Sequence, residues 1–265
     1  MLKILKLSLL LVSGNCLVAN TRYARPVSTK AYKKNSKDTT ISKIKPVNIL
    51  TLDLETRKLS DNNLEVISSC IFDGTNYYTF YLTDYLTPEA LLEATVETLL
   101  KFNGYKVYIH NSSAFDAIFL FKHILDLKAK GYEVNILKRE DKFIKIAITK
   151  TEIKTKTKNI TSPTLKEGVI ITSKLTTVFN LTIYDSLLLL PHSLGKLSKA
   201  FNVSGKLDFN VLENDAADLS DLKFRERLLA YNQEDCKILY DVILSFNNIF
   251  KDLFKLTILD SPTLG

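Results

Sequence analysis

With 265 residues, 46% of them hydrophobic, the chain is long enough for one large core or for a core with a substantial appendage. Three scattered cysteines, Cys16, Cys70 and Cys236, exclude a disulfide framework and a cysteine zinc site, and fit a reducing compartment. The net charge of +7 is uneven: residues 1–46 carry ten Lys or Arg against Asp38 alone, while the remainder holds 26 basic and 28 acidic groups. A uniformly basic body is therefore excluded.

The arm opens "MLKILKLSLLLVSGNCLV", an interrupted apolar run well short of the roughly 20 residues a membrane-spanning helix needs, so no membrane association is expected. With no acid before Asp38, it reads either as a targeting presequence or as a solvated, disordered tail. Lysine outnumbers arginine 30 to 6 and tryptophan is absent, a bias of A/T-rich coding such as that of a mitochondrial genome or plasmid.

From residue 47 the periodicity sharpens. "VNILTLDLE", "LEVISSCIFD" and "NYYTFYLT" alternate like strands, with turns at "SDNN" and "DGTN", and predict an antiparallel meander. "TPEALLEATVETLLKF" predicts a helix with Thr87 as N-cap and Pro88 in first position. "YKVYIH" reads as a buried strand, and "SSAFDAIFLFKHILDLKAKG" as a helix capped by serine and closed by Gly131. Residues 132–184 are β-rich with lysine-rich connections and suggest one or two inserted hairpins. "LPHSLGKLSKAFNV" predicts a short helix and "LSDLKFRERLLAYNQEDCKILYDVILSFNNIF" a long one. The sum is a mixed sheet flanked by helices, an α/β fold.

Three stretches carry acids that the elements do not require. On a strand, Val47, Ile49, Thr51, Asp53 and Glu55 share one face and Leu50, Leu52 and Leu54 the other. Asp53 and Glu55 are then neighbours that repel unless a cation sits between them or one is protonated, and an all-oxygen pair suits magnesium or manganese. A strand end facing water is the alternative. Asp116 falls in a first helical turn, where the helix dipole favours an acid. Asp235 is less easily explained: the stripe Leu228, Tyr231, Asp235, Leu239, Val242, Phe246 puts a carboxylate where a hydrophobe belongs, and a buried carboxylate needs a partner. Tyr231 lies one turn earlier on the same face. Four acids from a strand, a helix start and a helix face are what two-metal phosphodiester hydrolysis requires, one cation activating water and the other stabilising the leaving oxygen.

In order along the chain, "DLET", "NSSAFD" and "YNQED" resemble the three exonuclease motifs of family B DNA polymerases: Asp-x-Glu, Asn-x-x-x-Phe-Asp and Tyr-x-x-x-Asp. "IYDSLLLLPHSLGKLSKAFNV" and "KLDF", Lys206 to Phe209, are similar to segments of the protein-primed branch found in bacteriophages and linear mitochondrial plasmids. The resemblance covers residues 47 to 265. It implies a ribonuclease H-like domain over 47–255 after the arm of 1–46, with 256–265 beginning the junction to a polymerase domain. It further implies two Mg²⁺ or Mn²⁺ ions on Asp53, Glu55, Asp116 and Asp235, and a water oriented by Tyr231. Lys206 would stabilise charge on the scissile phosphate. Thr56, Asn111, Phe115, Ser186 and Leu187 would line a channel for a single-stranded DNA 3′ end, Phe115 offering a stacking face. A terminal priming protein and a mitochondrial location belong to the same implication. The polymerase motifs, Ser-Leu-Tyr-Pro-like and Tyr-x-Asp-Thr-Asp-like, do not occur in these 265 residues, so DNA synthesis by this chain alone is not expected. Two rival readings are a free-standing nuclease on RNA or oligonucleotides, and a non-catalytic remnant that binds single strands.

Overall fold

A computed structural model of the chain describes residues 48–260, apart from 141, 163–164, 204, 206, 208 and 211–212; the side chains of residues 114, 158–170 and 260 also fall outside the description. The arm, Lys206 and the residues after 260 therefore lie outside the described residues. Those from Asn48 onward belong to one compact unit.

The predicted meander is present as β1 (Ile49–Lys58), β2 (Leu64–Phe72) and β3 (Tyr77–Tyr81), paired antiparallel in sequence order. Its second turn closes on Gly74 at φ +95°, where a Cβ would collide with the Tyr240 ring. Helix α1 (Pro88–Leu99) begins as expected, the Thr87 hydroxyl accepting the Ala90 N–H. Strand β4 (Lys106–Ile109) then runs parallel to β1.

The following helix differs from expectation. No serine caps it: residues Ser112–Ala114 form a single 3-10 turn, and α2 (Asp116–Asp126) starts after Phe115, whose side chain makes no capping bond. The chain reaches that turn through Asn111 in the left-handed conformation at φ 61°, which asparagine tolerates better than most residues. Gly131, at φ +82°, closes the turns beyond α2 rather than the helix itself.

The β-rich region, expected as inserted hairpins, both extends the central sheet and carries a hairpin that runs on beyond it. Strand β5 (Glu133–Arg139) pairs antiparallel with the first part of β6 (Lys142–Ser162), and β6 pairs antiparallel along its length with β7 (Leu165–Asp185). "GVIITSKL" and "TVFNLTIYD" are thus one 21-residue strand. The last residues of β7 lie parallel to β4, Lys106 opposite Thr182 and Ile109 opposite Asp185. Among the described residues the sheet has seven strands in the order β3-β2-β1-β4-β7-β6-β5.

Three helices complete the fold: α3 (Leu194–Phe201), the unanticipated α4 (Glu213–Ala216) and the 33-residue α5 (Leu222–Phe254). One sheet face, bearing Leu50, Leu52 and Leu54, packs on α1 and α2 through Leu91, Val96, Leu120 and Ile124 in the main core. The opposite face of β1 and β2 receives α5. Thr51 donates its hydroxyl to the Cys236 carbonyl at 2.8 Å and the Cys236 thiol reaches the Cys70 carbonyl at 3.3 Å. After α5 the chain turns back: Asn247 accepts the Thr257 hydroxyl and the Ile258 N–H, and Ile258 is buried. Because Leu52 has no exposed surface, Leu52→Ala is expected to lower the free energy of unfolding by about 3 kcal/mol, the transfer and cavity costs together, as measured by urea denaturation.

Candidate functional site

The site forms where the parallel strands β1, β4 and β7 end, the edge at which open α/β sheets commonly bind their ligands. Past the pairing of Leu52 with Ile109, β4 no longer covers the edge of β1. The N–H of Leu54 is therefore turned toward the start of α2, where the Asp116 carboxylate accepts it at 3.0 Å. That bond sets Asp116 against the residue between Asp53 and Glu55. A register shift follows Glu55: its partner on β2 is Ser68, whereas Thr56 pairs with Val66. Ile67, left between, packs into a small cluster with Phe224 and Leu228 of α5. Bulges of this kind bend a strand and re-aim its side chains near functional sites.

Helix α5 brings in the last acid. Carboxylate oxygens of Asp53, Glu55 and Asp235 lie within 4.8 Å of one another, and Glu55 and Asp235 are buried. Tyr231, also buried, stacks on Phe209 with ring centroids 4.8 Å apart and 25° between planes. Burial, then the charge of Asp53, push the Asp116 carboxyl well above the usual carboxylate range, against the lowering pull of backbone N–H donors. So much negative charge at close quarters calls for a cation or bound protons. The donors are all carboxylate oxygens, which fit a hard divalent cation better than a soft one.

Two residues that the sequence reading passed over hold this arrangement. Asn232, fully buried between Tyr231 and Asp235, donates to Asp53 at 2.7 Å and accepts the Ser68 hydroxyl at 3.2 Å. It lies inside the "YNQED" motif, where nothing local marks it as buried. Asp185 accepts the Ser113 and Leu187 N–H groups, joining the turn before α2 to the end of β7. It is the acid of the "IYDSLLLL" segment.

The other predicted contacts divide. Thr56 follows Glu55 at the bulge, its carbonyl held by the Asn214 amide. Asn111 is exposed at the end of β4, and Leu187 is half-buried after β7. Phe115 is half-buried and packs edge-to-face on Phe119. Ser186 is a correction: it has no exposed surface, and its hydroxyl contacts the His110 ring and the Ile109 carbonyl, so it cannot line a channel. Its contact His110 reaches the His192 carbonyl at 3.0 Å, which joins two loops. Phe209, from the "KLDF" stretch, meets Tyr231 at the site.

A ribonuclease H-like α/β sheet with a buried cluster of carboxylates at its carboxyl edge is thus the class that fold and site define. The family model for DNA polymerase type B, organellar and viral, matches residues 96–220. A "Probable DNA polymerase" of Ascobolus immersus is 37% identical over 171 residues, 63% of this chain and 12% of the relative. Another, of Neurospora intermedia, is 30% identical over 196 residues, covering 68% and 18%. The chain therefore spans less than a fifth of these relatives' length. Among solved structures, phi29 DNA polymerase complexed with single-stranded DNA aligns over 80% of this chain and 33% of its own, with a TM-score of 0.51 and 18% identity. The same protein complexed with primer-template DNA aligns equally well. By family model and relatives alike the chain is similar to the type B DNA polymerases, organellar and viral, in agreement with the resemblance carried by its motifs.

The Asp116 shift has a measurable consequence. Its folded-state pKa lies above the unfolded value, so the native chain keeps a proton that the unfolded chain releases. Stability then falls as pH rises from the ordinary carboxylate range through the folded pKa. Asp116→Asn preserves an acceptor for Leu54 and removes this slope. In EDTA the variant is expected to melt above the parent at pH 7 and with it near pH 3.5, as read by thermal denaturation at both pH values.

Proposed function

We propose that this chain is the 3′–5′ exonuclease domain of a protein-primed, plasmid-type DNA polymerase, removing nucleotides from a single-stranded DNA 3′ end in proofreading during replication. The observation that carries this reading is the convergence of Asp53, Glu55 and Asp235 within 4.8 Å, with Asp116 hydrogen-bonded to the strand residue between the first two. Similarity to that family supports it, since type B polymerases work with divalent cations. Asp53, Glu55, Asp116 and Asp235 would hold two ions, Mg²⁺ or Mn²⁺. When bound, these supply an activated water and counter-charge for the leaving oxygen.

The remaining work falls to the chain's own groups. Asn232 fixes the Asp53 carboxylate by donating to one of its oxygens. Tyr231, held by its stack on Phe209, directs its hydroxyl one turn from Asp235 to orient the attacking water. Lys206 is assigned charge stabilisation at the scissile phosphate. Thr56, Asn111, Phe115 and Leu187 contact the strand around the cluster, Phe115 by stacking on a base. Ser186 acts indirectly, through its contacts with His110 and Ile109. The fungal relatives and the organellar family support a mitochondrial site of action; a terminal priming protein would be the partner of the longer polymerase.

With magnesium and a 5′-labelled single strand, Asp53→Ala is expected to slow stepwise loss of 3′ nucleotides by about a hundredfold or more; equal rates in parent and variant would sink the assignment. Tyr231→Phe should be slower by about ten- to a hundredfold, and an unchanged rate removes the proposed role of its hydroxyl. Binding has its own readout: at a Mn²⁺ concentration about 100 times its Kd, the parent is expected to gain roughly 2.7 kcal/mol of stability. Asp53→Ala should lose most of that gain in the same thermal titration.

A further inference from the structure

The hairpin of β6 and β7 outruns the sheet. Strand β5 covers β6 only as far as Thr149, and β4 covers β7 only from Thr182 onward. Beyond these points the two strands pair with each other alone, from Lys150 opposite Phe179 to Ser162 opposite Leu165. The register sorts the ribbon's side chains onto two faces. Glu152 and Thr176, Lys154 and Lys174, and Lys156 and Thr172 are facing pairs on one side; Ile153 and Leu175 oppose each other on the other. Lys154, Lys156 and Lys174 are exposed, and among the described residues no ion pair engages them. Two of them stand directly opposite each other, an arrangement that costs stability in a sheet.

Lysine on an unpaired strand also guards against edge-to-edge aggregation. That role asks only for charge somewhere along the edge, and does not require three cations on one face with two in direct opposition. A face so charged is complementary to a polyanion. Residues 151–178 contain no Phe, Tyr or Trp, so the ribbon has no ring on which an unpaired base could stack, as single-strand sites do. Lysines interspersed with threonines suit phosphate contact without base readout, and a duplex presents phosphates at the higher density, one charge per about 1.7 Å of axis. The face is also remote from the carboxylates. Lys174 precedes Asp185 by 11 residues of one strand, roughly 35 Å at the usual strand rise, on the side of the sheet away from the cluster.

We propose that the cationic face of this ribbon, built on Lys154, Lys156 and Lys174, is a second nucleic-acid site that grips the phosphate backbone of duplex DNA. The inference rests on the nucleic-acid reading of the chain but not on its nuclease chemistry. The test is fluorescence anisotropy of the full chain with a blunt-ended duplex in EDTA, so that binding is read without cleavage. For the triple variant K154Q/K156Q/K174Q, affinity at 0.1 M salt is expected to fall at least about tenfold, and the slope of log K against log salt to flatten by about 2 to 3. Ile153→Thr with Leu175→Thr, on the other face, should bind like the parent. Equal duplex binding by the triple variant and the parent overturns the proposal; so does a larger loss on a single strand than on the duplex, or an equal loss when the opposite face is changed. Cleavage of a short single strand by the triple variant should match the parent. If Asp53→Ala proves no slower than the parent while ribbon-dependent duplex binding persists, the nuclease reading fails and this inference stands.

Discussion

Mutual repulsion among carboxylates confined at one edge of a sheet governs this structure. Asp53, Glu55 and Asp235 are brought within 4.8 Å although like charges disfavour it. Packing and hydrogen bonds from neighbouring elements hold them there. The Thr51 hydroxyl on the Cys236 carbonyl, the Asn232 amide between Asp53 and Ser68, and the packing of Ile67 against Phe224 and Leu228 fasten α5 across β1 and β2. Behind them, the Leu50, Leu52 and Leu54 face is locked into the main core, so β1 cannot shift to relieve the strain of its acidic end.

The same logic explains the connections at the carboxyl edge. Asp185 receives two backbone N–H groups from separate loops, and Asp116 receives a third from β1. Buried acids here act as acceptors for amides that the sheet's end leaves without ladder partners, which satisfies backbone and carboxylate together. His110 extends the pattern, touching Ser186 and the His192 carbonyl. The edge is thus built largely from polar groups, each positioned by another, which suits a surface that must hold charge in place.

Much of this was legible in the sequence because period and composition change at the right places. The meander, the Thr87 cap and the two later helices follow from alternation, capping residues and helical spacing. The four acids stood out as carboxylates in elements that did not need them, Asp235 most of all. What remained hidden depends on partners distant along the chain. Nothing local shows that Ser186 is buried, because its burial comes from His110 and Ile109, more than 70 positions away. Nor could Asn232 be told from a solvated amide without the Asp53 contact, a separation of 179 residues. That the strands of the inserted hairpin also join the sheet was hidden for a related reason: it is decided by the pairing of β7 with β4, and strand patterning does not encode which neighbour a strand will choose.

The placement of α5 bears on how the molecule comes into being. It is the last long element of the described chain, yet it covers β1, the first, through contacts spanning 185 and 179 positions. During synthesis the sheet and its two-helix face can assemble while the opposite face of β1 and β2 is still bare. Until the helix arrives, Asp53 and Glu55 lie open to water, where their charges are screened. Crowding of the acids therefore accompanies the docking of α5, so cation-binding geometry and the covering of this sheet face arise together. Contacts of such long range are slow to form as a class, and the crowded site cannot exist before they do.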